Sequence, residues 1–296
     1  MVTWARRLSV IRTSGVGIAG NGIMLEDLLT IVVPVKNEEQ NLSACLENVK
    51  GFTHVVVVDS HSTDRTCEIA AEYGREVVQF KWNGHFPKKR NWLLRTYSFQ
   101  TPWVMFLDAD ERLMPKWFEE AEQKLTNAPD DVDAWICYYD NWFMGRLLRH
   151  GDVMRKTAIL RVGHGEYERI EEDHWSCLDM EIHEHLHVEG RIDEIKSRLE
   201  HHDKRSLESY YAKHEEYASW EANRYVALKG DYSKLTRRQQ IKYSQILKWW
   251  FGLAYFVACY FLKLGILDGR PGFVFARNKM RYFRMIRQKI LESKHK

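Results

Sequence analysis

Asp108-Ala109-Asp110 follows an uninterrupted apolar run, Trp103-Val104-Met105-Phe106-Leu107, and is the first place to look for chemistry. Such a run reads as a buried strand, and two carboxylates at its C-terminal end lie where open α/β sheets bind ligands. Carboxylates one residue apart around a small residue can hold a hard divalent cation through oxygen, and that cation can hold a diphosphate. Acidic turns after strands are common, so the motif gains meaning only from its neighbours. A second group is His183, His185 and His187, which alternate and would share one face of a strand. That geometry suits a transition-metal site and hence a His-rich metal-dependent hydrolase. Histidines lining a pocket, or merely satisfied polar residues, explain the alternation more simply, because nothing else in the chain builds a hydrolase.

A series of alternating elements must position the acidic tip. Thr30-Ile31-Val32-Val33-Pro34-Val35 predicts a buried strand, followed by a helix with apolar positions at Leu42, Cys45, Leu46 and Val49. Val55-Val56-Val57-Val58 predicts a second strand ending in Asp59-Ser60. Ser62, Thr63 and Asp64 then start a helix that runs through Ala71 and stops at Gly74. A strand over 76–80, a helix over 87–97 and the strand 103–107 continue the pattern. Strands apolar on both faces and alternating with helices imply a parallel sheet covered on two sides. Beyond Asp110 the regularity fades. A helix from 115 to about 125 and strands over 134–139, 155–162 and 180–188 are separated by polar loops, before helices over 206–228, 237–264 and 271–291. These changes divide the chain into an extension, 1–24, an α/β domain, 25–203, and a helical region, 204–296.

The 296 residues allow one large domain or a core with an appended module. Hydrophobic content of 45% is ample for a packed core, and a net charge of only +3 makes nucleic acid a poor partner. The five cysteines show no zinc-finger or redox spacing, as expected in a reducing compartment. The first 24 residues carry Arg6, Arg7 and Arg12 without the continuous apolar segment of a secretory signal, and read as a disordered extension.

Pro34-Val35-Lys36-Asn37-Glu38, Asp59-Ser60-His61-Ser62-Thr63-Asp64, residues 88–91 and Asp108-Ala109-Asp110 fall after four successive predicted strands. In that order and spacing they resemble the nucleotide-sugar-binding half of a family 2 glycosyltransferase with the GT-A fold. That family's signature is Pro-x-x-Asn-Glu, Asp-x-x-Ser-x-Asp and Asp-x-Asp over about eighty residues. His183-Glu184-His185, His201-His202 and Gly265-Ile266-Leu267-Asp268-Gly269 narrow the resemblance to the bacterial lipopolysaccharide-core glucosyltransferase group. Two positions depart from it: His61 stands where Gly or Ser is commoner, and Lys89-Arg90 where Gln-Arg or Ala-Arg is usual.

The resemblance implies a donor site of Pro34, Val35, Asn37, Glu38, Asp59, Ser60, Asp64, Arg90, Asp108 and Ala109. Asp110 would ligate Mg2+ or Mn2+ directly, and Asp108 would contact the ribose or a metal-bound water. Asp59 would hydrogen-bond the base, with Glu38 near the uracil–ribose end, Pro34 fixing the turn beneath and Arg90 on the diphosphate. The implied reaction is inverting transfer of a hexose, with UDP-glucose the preferred donor, to a lipopolysaccharide-core or lipid-linked glycan. In it the cation stabilises charge building on the leaving phosphate. Asp64 is equally suited to capping a helix, and Arg90 to a solvated helix face.

Inverting transfer needs a general base for the acceptor hydroxyl. Glu184 is favoured, because the resembling group carries a His-Glu pair there, with His183 and His185 as acceptor-binding neighbours. Asp173, within Glu171-Glu172-Asp173, is the second candidate, although that cluster also reads as an acidic surface loop. A catalytically inactive membrane scaffold on the same fold would require a broken metal site, and both Asp108 and Asp110 are present.

The segment from Trp249 to Leu262 is fourteen residues without a charge, and as a helix it would rise about 21 Å against a hydrocarbon core of roughly 30 Å. Residues 273–296 carry eight Lys/Arg against one acid, interleaved with Phe273, Phe275, Tyr282 and Phe283. Residues 249–293 therefore predict peripheral or monotopic contact with an anionic membrane, at the cytoplasmic face of a bacterial inner membrane.

Overall fold

The computed structural model describes residues 24–172, 175–176, 178–181, 185–202, 207–233 and 235–293. A short helix α1 (Leu25–Leu28) leads into β1 (Leu29–Val35), α2 (Leu42–Asn48), β2 (Val55–Asp59), α3 (Thr66–Glu72), β3 (Glu76–Gln79), α4 (Lys89–Thr96) and β4 (Trp103–Phe106). These strands stand in the order β3-β2-β1-β4, all parallel, as the alternating sequence predicts. Every residue of β1, β2 and β4 is buried. Alternation sends Leu29, Ile31, Val33 and Val35 to one core, and Val32, Val56 and Val58 to the core on the opposite face.

Pro34 lies within the central strand β1, where a missing N–H normally costs a ladder bond. Ile31 N–H reaches His54 on the β2 side, so alternation turns position 34 toward β4. Pairing with β4 has already ended at Val32–Phe106, so the proline forfeits nothing.

Beyond β4 come β5 (Glu111–Arg112), α5 (Pro115–Thr126), β6 (Val132–Phe143), β7 (Arg146–Leu148), β8 (Met154–Arg161), β9 (Gly165–Tyr167), β10 (Leu186–Val188) and β11 (Arg191–His202). The sheet continues from β4 as β8-β6-β11-β5, with β7 on β6, while β9 and β10 form a separate antiparallel pair. Here the parallel arrangement of the first four strands does not continue. β8 runs antiparallel to both β4 and β6, and β11 returns parallel to β6. The strand expected over 180–188 is confined, among the described residues, to Leu186–Val188.

β11 was not legible as a strand, since Arg-Ile-Asp-Glu-Ile-Lys-Ser-Arg-Leu-Glu-His-His lacks period-2 apolar spacing. A register irregularity between Ile195 and Arg198 breaks the period and still buries Ile195 and Leu199 fully. The backbone N–H groups of Lys196 and Ser197 at that irregularity donate to the Glu120 carboxylate of α5, at 2.9 and 2.7 Å.

The helical region holds α6 (Leu207–Ala227), α7 (Arg237–Gln245), α8 (Phe251–Val257), a π-turn (Ala258–Leu262), a 3-10 turn (Gly265–Asp268) and α9 (Gly269–Ser293). The single helix expected over 237–264 is thus interrupted, and α9 begins before the expected Pro271. Proline is tolerated there because it falls in the first helical turn. Ala218, Ala222, Ile246, Ile286 and Ile290 form a separate small core between these helices.

The packing of β11 is testable along one strand. Leu199→Ala should cost about 2–5 kcal/mol in urea unfolding, whereas Ile192→Ala, at a residue 38% exposed, should stay within roughly 0.5 kcal/mol. Equal costs at the two positions would contradict the packing described.

Candidate active site

The loops after β1 and β2 are stitched together. Asn37, in the left-handed region at φ 57°, donates its N–H to Ser62 Oγ at 2.8 Å, and its Oδ1 accepts from Thr63 N–H at 2.8 Å. Glu38 N–H donates to Thr66 Oγ1 at 2.8 Å, and the Glu38 carboxylate accepts from Asn41 Nδ2 at 2.8 Å. Asp59, fully buried at the end of β2, accepts from Ser62 N–H and Oγ and from Cys67 Sγ. Burial pushes its carboxyl up, but those bonds outweigh burial and leave it below its ordinary value. The Asp64 carboxylate accepts from Glu39 N–H at 3.2 Å and from Thr66 N–H at 3.0 Å, so it secures the start of α3. Ser60 is buried and its N–H bonds the Val35 carbonyl at 3.1 Å.

The β4 tip closes on itself. Glu111 N–H donates to the Asp108 carbonyl at 2.9 Å, while Asp108 N–H donates to Glu111 Oε2 at 3.1 Å. Three separate elements then bring cationic groups to this turn. Arg90 of α4 lies 3.1 Å from Asp108 Oδ1. Lys156 of β8 lies 2.8 Å from Asp108 Oδ2 and 2.7 Å from Glu111 Oε1. His201, near the end of β11, places Nε2 3.4 Å from Asp110 Oδ2, and His202 N–H donates to the Asp110 carbonyl at 2.7 Å.

The electrostatics follow from these contacts. Burial would raise Asp108, yet Lys156 and Arg90 outweigh it and hold the carboxyl well below the usual carboxylate range. Glu111 goes the other way: burial pushes it up to about 7 in spite of Lys156, with Asp108 and Asp110 adding to the rise. Burial alone would lower the His201 imidazole, but Asp110 beside it prevails and raises it.

Helix α4 has no side-chain cap of its own. Glu181, remote in sequence and buried, supplies one: its carboxylate accepts Arg90 N–H at 2.9 Å and Asn91 N–H at 3.0 Å. Its carbonyl also accepts from Arg90 Nη1 at 3.1 Å. Lys88, just before the helix, pairs with buried Glu172 at 2.5 Å, whose other oxygen accepts from Trp220 Nε1 of α6. Lys89 Nζ donates to the Val35 carbonyl at 3.0 Å, directly beneath the first donor loop.

Of the residues expected to act, Asp59, Ser60, Arg90, Asp108, Ala109 and Asp110 gather at the C-terminal ends of β2 and β4 and the start of α4. Pro34, Val35, Asn37, Glu38 and Asp64 lie beside them at the ends of β1 and its loop. Arg90 is buried between Phe106 and Tyr167, so the solvated-helix reading is corrected. Glu172 is likewise buried and ion-paired, so the acidic surface loop is corrected at that residue. Asp173, His183 and Glu184 lie outside the described residues. His185 is exposed, with its N–H 3.5 Å from Glu168 Oε2.

Sequence reasoning missed Lys156, Glu181 and Glu111 entirely, and used His201 only as part of the His201-His202 pair that carries the resemblance. Lys156 was hidden because only the antiparallel entry of β8 beside β4 brings it to Asp108. Among the described residues no three His, Cys, Asp or Glu side chains form a metal site by themselves. Asp108 and Asp110 offer carboxylate oxygens to a divalent cation that would take its other ligands from a diphosphate and water, the usual arrangement for Mg2+.

Residues 30–177 match the model of glycosyl transferase family 2, and the chain belongs to that family. It is therefore a glycosyltransferase, of the nucleotide-sugar-dependent kind. The lipopolysaccharide core biosynthesis glycosyltransferase LpsC of Rhizobium meliloti is 26% identical over 64% of this chain and 68% of its own length. An uncharacterized glycosyltransferase of Rickettsia conorii is 23% identical over 92% of this chain and 94% of its own. Among solved structures, the glucosyl-3-phosphoglycerate synthase of Mycobacterium tuberculosis, in complex with Mn2+, UDP and glucosyl-3-phosphoglycerate, is 21% identical with a TM-score of 0.32. That match covers 38% of this chain and 44% of the other, so the chain spans less than half of that solved structure.

Lys89 offers a test of the burial around the donor loops. Burial pulls its ammonium down to about 8 from an ordinary 10.5, opposed by Asp179. Between those values the unfolded chain binds the extra proton, so stability must rise with pH. Relative to Lys89→Met, the wild-type protein should gain up to about 3 kcal/mol across that window in denaturant titrations. A pH-independent difference would show that Lys89 is solvated.

Proposed function

We propose that the chain transfers a hexose, with UDP-glucose the preferred donor, to a lipopolysaccharide-core or lipid-linked acceptor with inversion and with Mg2+ or Mn2+ as cofactor. The α/β core is read as a GT-A domain working at the cytoplasmic face of a bacterial inner membrane. The observation that carries this reading is the β4 tip, where Asp108 and Asp110 meet Arg90, Lys156 and His201. The similarity to LpsC supports the choice of acceptor class.

When bound at Asp110, with Asp108 and His201 alongside, the divalent cation supplies Lewis-acid stabilisation of the leaving diphosphate. Arg90 offers a guanidinium already oriented by Glu181 and by the rings of Phe106 and Tyr167. Lys156 offers an ammonium held by Asp108 and Glu111, which can turn toward a phosphate oxygen once a cation at Asp110 offsets the charge of those carboxylates. The stitched loops of Asn37, Glu38, Asp59 and Asp64 present backbone and Pro34 as a preformed wall for the base and ribose. Glu184 takes the proton from the acceptor hydroxyl, with Asp173 as the second candidate and His183 and His185 holding the acceptor.

The test is a screen of nucleotide sugars for Mn2+-dependent thermal stabilisation, since a ligand bound only by the native state raises its stability. UDP-glucose with Mn2+ should raise the melting temperature most. Asp110→Asn should remove the metal-dependent part of the shift and lower transfer by about a hundredfold or more. If no nucleotide sugar moves the melting curve with metal present, or if Asp110→Asn turns over normally, the reading fails.

A further inference from the structure

α8 and its π-turn leave one face uncovered. Trp250, Leu253, Val257 and Phe261 are all exposed, and their spacing of three, four and four residues places them on one side of the helix. Around the following corner Leu262 is 77% exposed and Leu267 64%, with Trp249 at 72% on the opposite end. A continuous exposed apolar surface of this kind marks an interaction site. Beside it, α9 exposes Arg270, Phe273, Arg277, Arg281 and Arg284, again at helical spacing. Among the described residues no carboxylate pairs with any of those four arginines.

We propose that this apolar corner and the arginine face of α9 together form a platform that lies on an anionic lipid bilayer. Trp249 and Trp250 sit at headgroup level, the leucines of the corner enter the acyl boundary, and the arginines meet lipid phosphates. Charge decides between a bilayer and a second copy of the chain, because two such faces would oppose arginine to arginine. The platform lies along the membrane surface. No single helix among the described residues is long and apolar enough to cross, and the one pair with enough length and apolar character together, Phe251–Leu262 and Gly265–Ser293, is bent by 74° at the corner.

The corner is tightly packed. Leu264 takes a left-handed φ of 59°, and a Cβ on Gly272 would lie 2.1 Å from the Gly265 carbonyl oxygen. It is also fastened to the sheet through the turn between β7 and β8. The Asp268 carboxylate accepts from Arg149 N–H at 3.1 Å and His150 N–H at 2.9 Å, and Gly151 N–H donates to the Lys263 carbonyl at 2.9 Å. Asp152 accepts from both Tyr255 and Lys263. β8 leaves this turn and carries Lys156 to the acidic tip, so the membrane plane and the transfer site hold a set orientation. That bearing on the acceptor rests on the transferase reading; the lipid contact itself does not.

Flotation of the full chain with vesicles decides the matter. Vesicles of mixed phosphatidylglycerol and phosphatidylcholine should carry the wild type, and phosphatidylcholine alone should carry at least about tenfold less. Leu262→Asp/Leu267→Asp and Arg270→Glu/Arg277→Glu should each lower binding to the mixed vesicles by about tenfold or more, with unchanged melting temperatures. Lipids brominated on the acyl chain should quench tryptophan fluorescence, and Trp249→Phe/Trp250→Phe should remove most of that quenching. Absence of flotation, equal flotation on the neutral vesicles, or wild-type flotation of either double variant overturns the proposal. So does a dimer in size-exclusion chromatography that Leu262→Asp/Leu267→Asp converts to monomer without any vesicle binding. Because flotation needs no sugar donor, failure here and failure of the transferase reading are separately visible.

Discussion

The acidic turn at the end of β4 sets the terms for the rest of the fold. Three carboxylates, Asp108, Asp110 and Glu111, fall within four residues, and Glu111 is fully buried. Charges taken from water this way must be paired or neutralised. The chain brings its answers from three directions: Arg90 from α4, Lys156 from β8 and His201 from β11. The antiparallel insertion of β8 and the long return of β11 are therefore more than sheet extension. Without β8 beside β4, Asp108 and Glu111 would share a site with no ammonium between them.

A second dependency links the two sides of the site. Helix α4 delivers Arg90, but its exposed amide groups are capped by Glu181 from the segment just before Glu184. Lys88 fastens the same helix to Glu172, and Glu172 in turn holds Trp220 of α6. The start of α4 is thus shared between the donor half and the segment expected to meet the acceptor. Movement of that segment would uncap α4 and loosen Arg90, so its order is tied by hydrogen bonds to the β4 tip.

The first half of the fold was legible because local and tertiary signals agree there. Valine-rich strands buried on both faces can only be central parallel strands, and the polar residues at their ends mark the ligand edge. The second half was not legible, since strands paired across long separations carry little local signature. β11 shows this directly: its charged residues face solvent or pair across the sheet, and its irregularity breaks the apolar period. The site followed the same division. Asp108, Asp110 and Arg90 could be named from order and spacing, whereas Lys156 and Glu181 depend on contacts made 48 and 91 residues away. The motif residues Asn37 and Asp64 also proved to be bonded to the neighbouring loop, so part of what spacing marks as binding is the carpentry of the binding edge.

The charge balance at the tip argues for a divalent cation on grounds independent of any relative. Three carboxylates face two permanent cations, Arg90 and Lys156, which leaves one negative charge in excess. Glu111 is pushed up to about 7, chiefly by burial with Asp108 and Asp110 adding to the rise, and His201 is raised by Asp110. Both shifts are ways of drawing a proton into the site. A nucleotide diphosphate entering beside these groups adds further negative charge, which one proton cannot offset. On the proposed reading, a doubly charged cation at Asp110 would offset both the excess carboxylate and part of the diphosphate, and would free Lys156 to follow the phosphate. The tip's own excess charge would hold the cation, and the cation would in turn hold the donor's diphosphate.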